Sequence, residues 1–327
     1  MLGVSIAVTL PLILLAGADP LAALYSLVIE PFNSRITAIE VLVKATPLLL
    51  TGAAVAVAFT AGYYNIGAEG QLLAGAVCAA WLGPMLKDMP AFVGIPIMIV
   101  GGMLAGATWA AIPALLKTRV RIDEVVTTLL SNSIMGFIVS ALLNGPWRNP
   151  ITKMPQSPNI AANAEFPTLL TNSRLHLGFV IGLLVVIGFG WLMRRTALGL
   201  QLRAVGQGKA SARFLGINVS RITLVAALLS GAIAGLAGVG EVAGVQHRLI
   251  DEVGSGFGTA GVIVATLGGF GAWGIGLGAL FIGLIENGAQ ELSRSLGVPS
   301  YLSSVVQAVL LIAVLVTVYV RRRPEAL

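Results

Sequence analysis

The chain has 327 residues, of which 57% are hydrophobic and only 10% charged, and its mean hydropathy is +0.92. Apolar runs of about twenty residues recur between short polar loops, which excludes a soluble core and defines an all-α polytopic membrane protein. The net charge of +6 sits in a few Lys/Arg loops beside apolar runs, a positive-inside pattern that argues against a nucleic acid polymer as partner and for a lipid bilayer.

One cysteine, Cys78, and two well separated histidines, His176 and His247, give neither a disulfide framework nor a metal site. In chain order, residues 2–17 read as an uncleaved first span and 18–40 as an amphipathic connector on the outer face. Spans at about 41–61, 66–86 and 91–115 follow. Glu40 and Lys44 form a helical neighbour pair near the start of the second. Lys117, Arg119 and Arg121 then mark a cytoplasmic loop.

The fifth span, 124–144, opens on Asp123 and Glu124, which suit a helix N-terminus. Thr127, Thr128, Ser131, Asn132 and Ser133 give it a polar face that either bonds to neighbouring helices or lines a path. Residues 145–174 hold Pro146, Pro150, Pro155, Pro158 and Pro167 and read as an ordered external loop packed over the helices. A sixth span covers about 175–193.

Between 194 and 221 the chain carries Arg194, Arg195, Arg203, Lys209, Arg213 and Arg221 and no acid, so this loop is assigned to the cytoplasm. Within it, Gly206 to Gly216 reads as a short helix, either held at anionic lipid or docked to another protein. Gly208-Lys209 is not a phosphate-binding loop: Arg203 stands where that pattern needs its first glycine, and Ala210 where it needs Ser or Thr.

The seventh span, about 221–243, has small residues four apart at Gly231/Gly235 and Gly240/Gly244, which predict close helix packing. Residues 244–256, with His247, Arg248, Asp251 and Glu252, read as polar and external, and two shorter apolar pieces, 257–269 and 274–290, flank the glycine-rich join 268–274, a candidate broken segment or hairpin. A last span at 301–320 ends on three arginines. Alternation gives about ten spans in a single transmembrane domain, with both termini cytoplasmic.

The most informative stretch is Tyr63-Tyr64-Asn65-Ile66-Gly67-Ala68-Glu69-Gly70-Gln71. It places a carboxylate and two amides between apolar runs, with Gly67 and Gly70 to permit a break. One reading is a helix interrupted at membrane depth, where non-helical backbone survives only against protein or a watered cavity. The other is a polar turn at the water boundary with Glu69 solvated. On the first reading Asn65, Glu69, Gln71 and Asn132 offer polar contacts to a solute, and Tyr63, Tyr64, Phe270 or Trp273 a stacking face; on the second the aromatics anchor interfaces or pack helices.

Taken together, Tyr64 to Gln71, Gly145-Pro146-Trp147, Pro155-Gln156-Ser157-Pro158, Arg174 to Gly178 and Leu202 to Gln207 resemble the permease subunit of bacterial ABC importers for nucleosides. That family lies within a larger group that also moves simple sugars and branched-chain amino acids. Tyr64 stands where phenylalanine is frequent, and the N-terminus is short. The resemblance implies a ten-helix importer fold in the bacterial inner membrane, two permeases side by side, two cytoplasmic ATPase subunits using ATP and Mg, and an external solute-binding protein. It implies no catalytic residue or cofactor in this chain. It also makes the segment with Arg203, Gly206, Gln207, Lys209, Ala210, Arg213 and Gly216 the helix that couples to the ATPase. The competing expectations are a permease of the same group for simple sugars such as ribose, and a secondary transporter or channel working alone that binds protons or Na⁺ at Glu69, Glu241 and Glu286.

Overall fold

The computed structural model describes residues 29–149, 151, 153–254 and 256–296, with a few isolated positions beyond them. The spans expected at 2–17 and 301–320 therefore lie outside the described residues, isolated positions apart. The described chain is helical: α1 (Arg35–Thr60), α2 (Ala68–Leu82), α3 (Ala91–Leu115), α4 (Glu124–Asn144), α5 (Leu177–Arg195), α6 (Ala197–Gln207), α7 (Lys209–Phe214), α8 (Val219–Glu241), α9 (Phe257–Leu267) and α10 (Ala272–Leu296). Six stretches, 35–60, 91–120, 124–144, 177–195, 219–246 and 272–294, are long and apolar enough to cross a membrane. α2 and α9 are shorter than the roughly twenty residues a crossing needs.

The interior is built on α1 and α8, which are apolar on all sides, as buried helices are. In the apolar window of α1, 89% of residues are buried, against 22% in α3 and α4, so α1 is central and the latter two face outward. α8 packs on α3, α2 and α1. The close approach depends on the predicted small residues: a Cβ on Gly235 would lie 2.3 Å from the Gly102 carbonyl oxygen of α3, and one on Gly75 of α2 would lie 2.0 Å from that of Gly235. Three backbones thus converge on one position, which dispersion and shape, rather than any hydrophobic drive between helices, hold together in lipid. Gly240 meets nothing within 4 Å, and Gly244 instead accommodates the His176 ring, so only the first of the two predicted seams joins helices.

The ends of the bundle differ. One carries α6, α7, Arg194, Arg195 and the π-helical turn Leu116–Val120, after which Arg121 sits in the left-handed region at φ 64°. Here Asp123 caps α4 through the N–H groups of Val125 and Val126, while Glu124 is buried and paired with Lys117 rather than solvated. The other end is roofed by the proline-rich segment, which packs down as expected. Ser157 N–H donates to the Leu249 carbonyl, Ile160 N–H to that of His247, and Phe166 N–H to that of Ala243. The Asn163 side-chain amide donates to the carbonyls of Leu86, Lys87 and Met89. At its far edge Arg174 grips Glu40 bidentately, at 2.6 and 3.1 Å, so Glu40 pairs across the fold and not with Lys44. That hydrogen bond holds the Arg174 guanidinium pKa above its ordinary value.

His176 seals the roof. Its Nδ1 accepts from the Gly178 N–H at 3.1 Å and so caps α5, its ring packs against Phe166, and its Nε2 is buried without a partner. Burial, with the neighbouring His247, pushes its pKa down to about 4. The native state keeps this imidazole neutral, whereas the unfolded chain takes up a proton near the ordinary value of about 6.5. Stability from this group is therefore complete above about pH 6.5 and is lost as pH falls toward 4, by on the order of 3 kcal/mol. Thermal unfolding of purified protein across that range should show the loss. His176→Asn, which retains an N-cap acceptor, should flatten it; an unchanged profile would refute the assignment.

Candidate functional site

The Tyr63–Gln71 stretch forms the break between α1 and α2. The chain turns at Gly62, whose φ of 65° needs glycine, and not at Gly67 or Gly70, which have negative φ. Those two serve packing instead. A Cβ on Gly67 would press Thr128, and one on Gly70 would press Asn132, each at about 3.0–3.1 Å.

Asn65 is fully buried and organises the turn. Its amide nitrogen donates to Gln71 Oε1 and Ser230 Oγ, both at 2.9 Å; its oxygen accepts from the Gly67 N–H at 2.9 Å and from Gln71 Nε2 at 3.1 Å. Ser230 lies about 17 Å along α8 from Val219, and Asn132 about 12 Å along α4 from Glu124, at 1.5 Å per residue. The turn therefore lies beside the middle of α8 and α4 and not at their ends.

α2 therefore begins inside the bundle, with first-turn N–H groups that lack partners in their own helix. Asn132 of α4 supplies one: its oxygen accepts from the Gly70 N–H at 2.8 Å while its nitrogen donates to the Ile66 carbonyl at 2.9 Å. α9 is capped in the same borrowed manner. The segment 247–256 leaves the roof, passes left-handed turns at His247, Gly254 and Gly256, and delivers the start of α9 to Glu69. The two carboxylate oxygens accept from the Gly256 N–H at 2.8 Å and the Gly258 N–H at 2.6 Å. A carboxylate there meets both the free N–H groups and the positive end of the α9 dipole. Two half-helices thus meet amino end to amino end, with Glu69 between them.

The expected break at 268–274 takes a different form. Residues 268–271 make a tight hairpin turn in which Gly269 and Phe270 both have φ 57° and Gly268 packs on Gly274. The interruption before α9 lies upstream, in a segment whose charged residues had read as an external loop.

Phe270 projects from this turn onto Phe59, with ring centroids 5.8 Å apart, and Tyr64 packs edge-on against the other side of Phe59 at 5.2 Å. Tyr64 is 53% and Phe270 38% exposed, so this aromatic group presents a usable surface beside the two half-helices. Thr259, exposed on α9, and the partly buried Thr266 add hydroxyls to the same helix face. Tyr63 is buried and offers no surface. Trp273 stands apart from Asn65 and Glu69, exposed on the outside of α10. Sequence reading missed Phe59, Ser230 and Thr259; a lone serine in the apolar run Leu228-Leu229-Ser230-Gly231 was the one available hint.

At the basic end the expected single helix from Gly206 to Gly216 is two. Gly208, extended at φ −176°, separates α6 from α7, and Gly206 lies inside α6. Only a glycine fits at 206, because a Cβ there would sit 2.1 Å from the Thr60 carbonyl oxygen and 3.2 Å from Gly62 N; α6 thus touches the root of the broken segment. Arg203 and Gln207 are exposed on α6; on α7, Lys209, Ala210 and Arg213 are exposed, and only Ala212 is buried. Phe214 is 92% exposed just before Gly216, which makes a cationic tip with an apolar crown.

An apolar bundle in which two short helices begin inside the fold, each capped by a side chain from another helix, is the build of a membrane subunit. The chain belongs to the family described as the permease component of the branched-chain amino acid transport system, which matches residues 37–315. It is the permease component of an ABC importer, a multi-pass protein of the inner membrane. A glucose ABC transporter permease of Haloferax volcanii is 32% identical over 94% of this chain and 83% of its own length. A guanosine ABC transporter permease of Bacillus subtilis is 34% identical over 84% and 80%, and a nucleoside ABC transporter permease of Lactococcus lactis 31% over 90% and 83%. No solved structure matches the chain with significance. Family membership displaces the stand-alone secondary transporter, and both oxygens of Glu69, one of its three acids, are engaged by backbone amides.

Proposed function

We propose that this permease carries nucleosides. The observation that carries the reading is the exposed aromatic group of Tyr64, Phe59 and Phe270 beside hydroxyl and amide side chains. A purine or pyrimidine has two flat faces for such rings, and its ribose hydroxyls suit the exposed hydroxyl of Thr259, whereas Asn65 and Gln71, buried and bonded to each other, hold the turn instead of meeting the solute. Guanosine and nucleoside permeases among the relatives support it. The glucose relative, similar in extent, favours a simple sugar as the second reading, since sugars also stack on aromatic faces.

In this reading the basic end faces the cytoplasm and the roof faces outward, with both termini inside and the whole chain acting as one permease domain. α6 and α7 dock on a separate ATPase that uses ATP and Mg, with Phe214 as the anchor and Lys209 and Arg213 meeting acidic groups. A solute-binding protein delivers its cargo to the roof, and a second permease, most simply a paralogue, completes the path. ATP-driven closure of the ATPases pushes on α6, and the contact of Gly206 with Thr60 and Gly62 transmits that push to the half-helices.

The test is uptake of radiolabelled guanosine, uridine and ribose in cells with and without this chain, alongside its ATPase and binding protein. Loss of nucleoside uptake alone is the expected result. Loss of ribose uptake alone would move the assignment to sugars.

A further inference from the structure

On the outer face of the bundle α5 and α10 leave between them a groove of about 570 Å³. Gly190, packed against Ala272, closes its floor, and Leu183, Ile187 and Leu277 line its walls. Ile187 and Leu277 are 65% and 68% exposed, so no described residue fills it. Its basic end is rimmed by Trp191, Trp273, Arg194 and Arg195. Both arginines are exposed, and among the described residues neither makes an ion pair.

The dimensions and charge of this groove select its occupant. From Leu183 to Arg194 the groove follows α5 for about 17 Å, close to the roughly 15 Å depth of one hydrocarbon leaflet. Trp191 and Trp273 mark the level at which tryptophans sit between acyl chains and headgroups. Two unpaired guanidiniums at that level match a phosphate, which they can bond bidentately. Two competing protein occupants, the run 301–320 and a second copy, carry the wrong charge, and the run 2–17 holds no acidic residue to pair with the arginines. The run 301–320 ends in Arg321, Arg322 and Arg323, so laying it antiparallel to α10 would bring three more cations to the same end. A second copy paired side by side in the same membrane would set its own Arg194 and Arg195 at the same depth, facing these.

We propose that this groove binds an anionic phospholipid of the leaflet on the basic side, its acyl chain along Leu183, Ile187 and Leu277 and its phosphate on Arg194 and Arg195. The site is separate from the aromatic group and from α6 and α7, and it stands whichever solute the permease carries.

The test uses the full transporter in nanodiscs containing a photoactivatable phosphatidylglycerol or, separately, the corresponding phosphatidylcholine, with labelled peptides identified by mass spectrometry. The expected result is labelling of 177–195 and 272–296 by phosphatidylglycerol in preference to phosphatidylcholine. In the Arg194→Gln/Arg195→Gln variant that preference should fall by about twenty-five-fold, since each basic residue near an anionic surface is worth about a five-fold preference. Arg194→Lys/Arg195→Lys should restore most of it. Equal labelling by both lipids, or labelling unchanged by the Gln pair, would overturn the proposal. So would efficient cross-linking of Leu277→Cys to a cysteine placed in 301–320 or to the second permease, because protein would then fill the groove.

Discussion

Glu69→Gln should lower solute uptake about ten-fold or more while the transporter still assembles, and Glu69→Ala should also lower its thermal stability. The carboxylate accepts backbone N–H bonds from Gly256 and Gly258. Charged hydrogen bonds are worth about 1.5–3 kcal/mol each, so removing both at this half-buried site should cost about 3 kcal/mol after relaxation. Glutamine keeps one acceptor oxygen but turns an NH₂ group toward the positive end of α9, so it should cost about 1–2 kcal/mol and leave the two half-helices less firmly aligned. Uptake in proteoliposomes and calorimetric melting of the purified complex separate the two variants. Uptake equal to wild type in Glu69→Gln would show that the junction of α2 and α9 plays no part in transport.

The second large effect is expected at Gly206. In Gly206→Ala the new methyl would stand 2.1 Å from the Thr60 carbonyl oxygen, a backbone atom that cannot swing aside. α6 must then withdraw from Thr60 and Gly62, and the push delivered by the ATPase no longer reaches the broken segment. Basal ATP hydrolysis should persist, whereas stimulation by loaded binding protein and uptake should both fall by about ten-fold, within the usual range of coupling free energies. A bulkier substitution at exposed Ala210 acts differently, by blocking the docking surface itself. Normal stimulated hydrolysis and uptake in Gly206→Ala would place the transmission of force elsewhere.

What the sequence made legible follows from where the physics is local. α3, α4 and α5 were readable because each apolar run is bounded by a residue that stops or caps a helix, namely Pro90, Asp123 and His176. The importance of 63–71 was readable because amides and a carboxylate within apolar runs demand partners. The identity of those partners was not, since Ser230, Asn132 and Gly258 come from three other helices and no spacing rule links them. The upstream break before α9 was hidden by composition: His247, Arg248, Asp251 and Glu252 read as external loop, although Leu249 and Val253 in the same stretch are buried. Trp273 was grouped with Phe270 because they are neighbours in sequence. Phe270 lies in the left-handed turn before α10 and meets Phe59, whereas Trp273 lies in the first turn of α10 and faces the groove, and that turn's geometry has no signal in sequence spacing.

The shortness of α2 and α9 has a consequence for how the chain enters the membrane. At about 22 and 17 Å, neither is long enough to be retained in lipid as an independent segment during synthesis. Each has an exposed amino end that would be costly in hydrocarbon until Asn132 or Glu69 arrives. α2 must therefore wait for α4, some fifty residues later in the chain, and α9 must enter joined to α10 and find Glu69 already in place. Biogenesis is thus ordered from the amino-terminal half onward. A ribosome stalled before residue 124 should leave α2 accessible to aqueous thiol reagents through Cys78, and release past residue 144 should protect it.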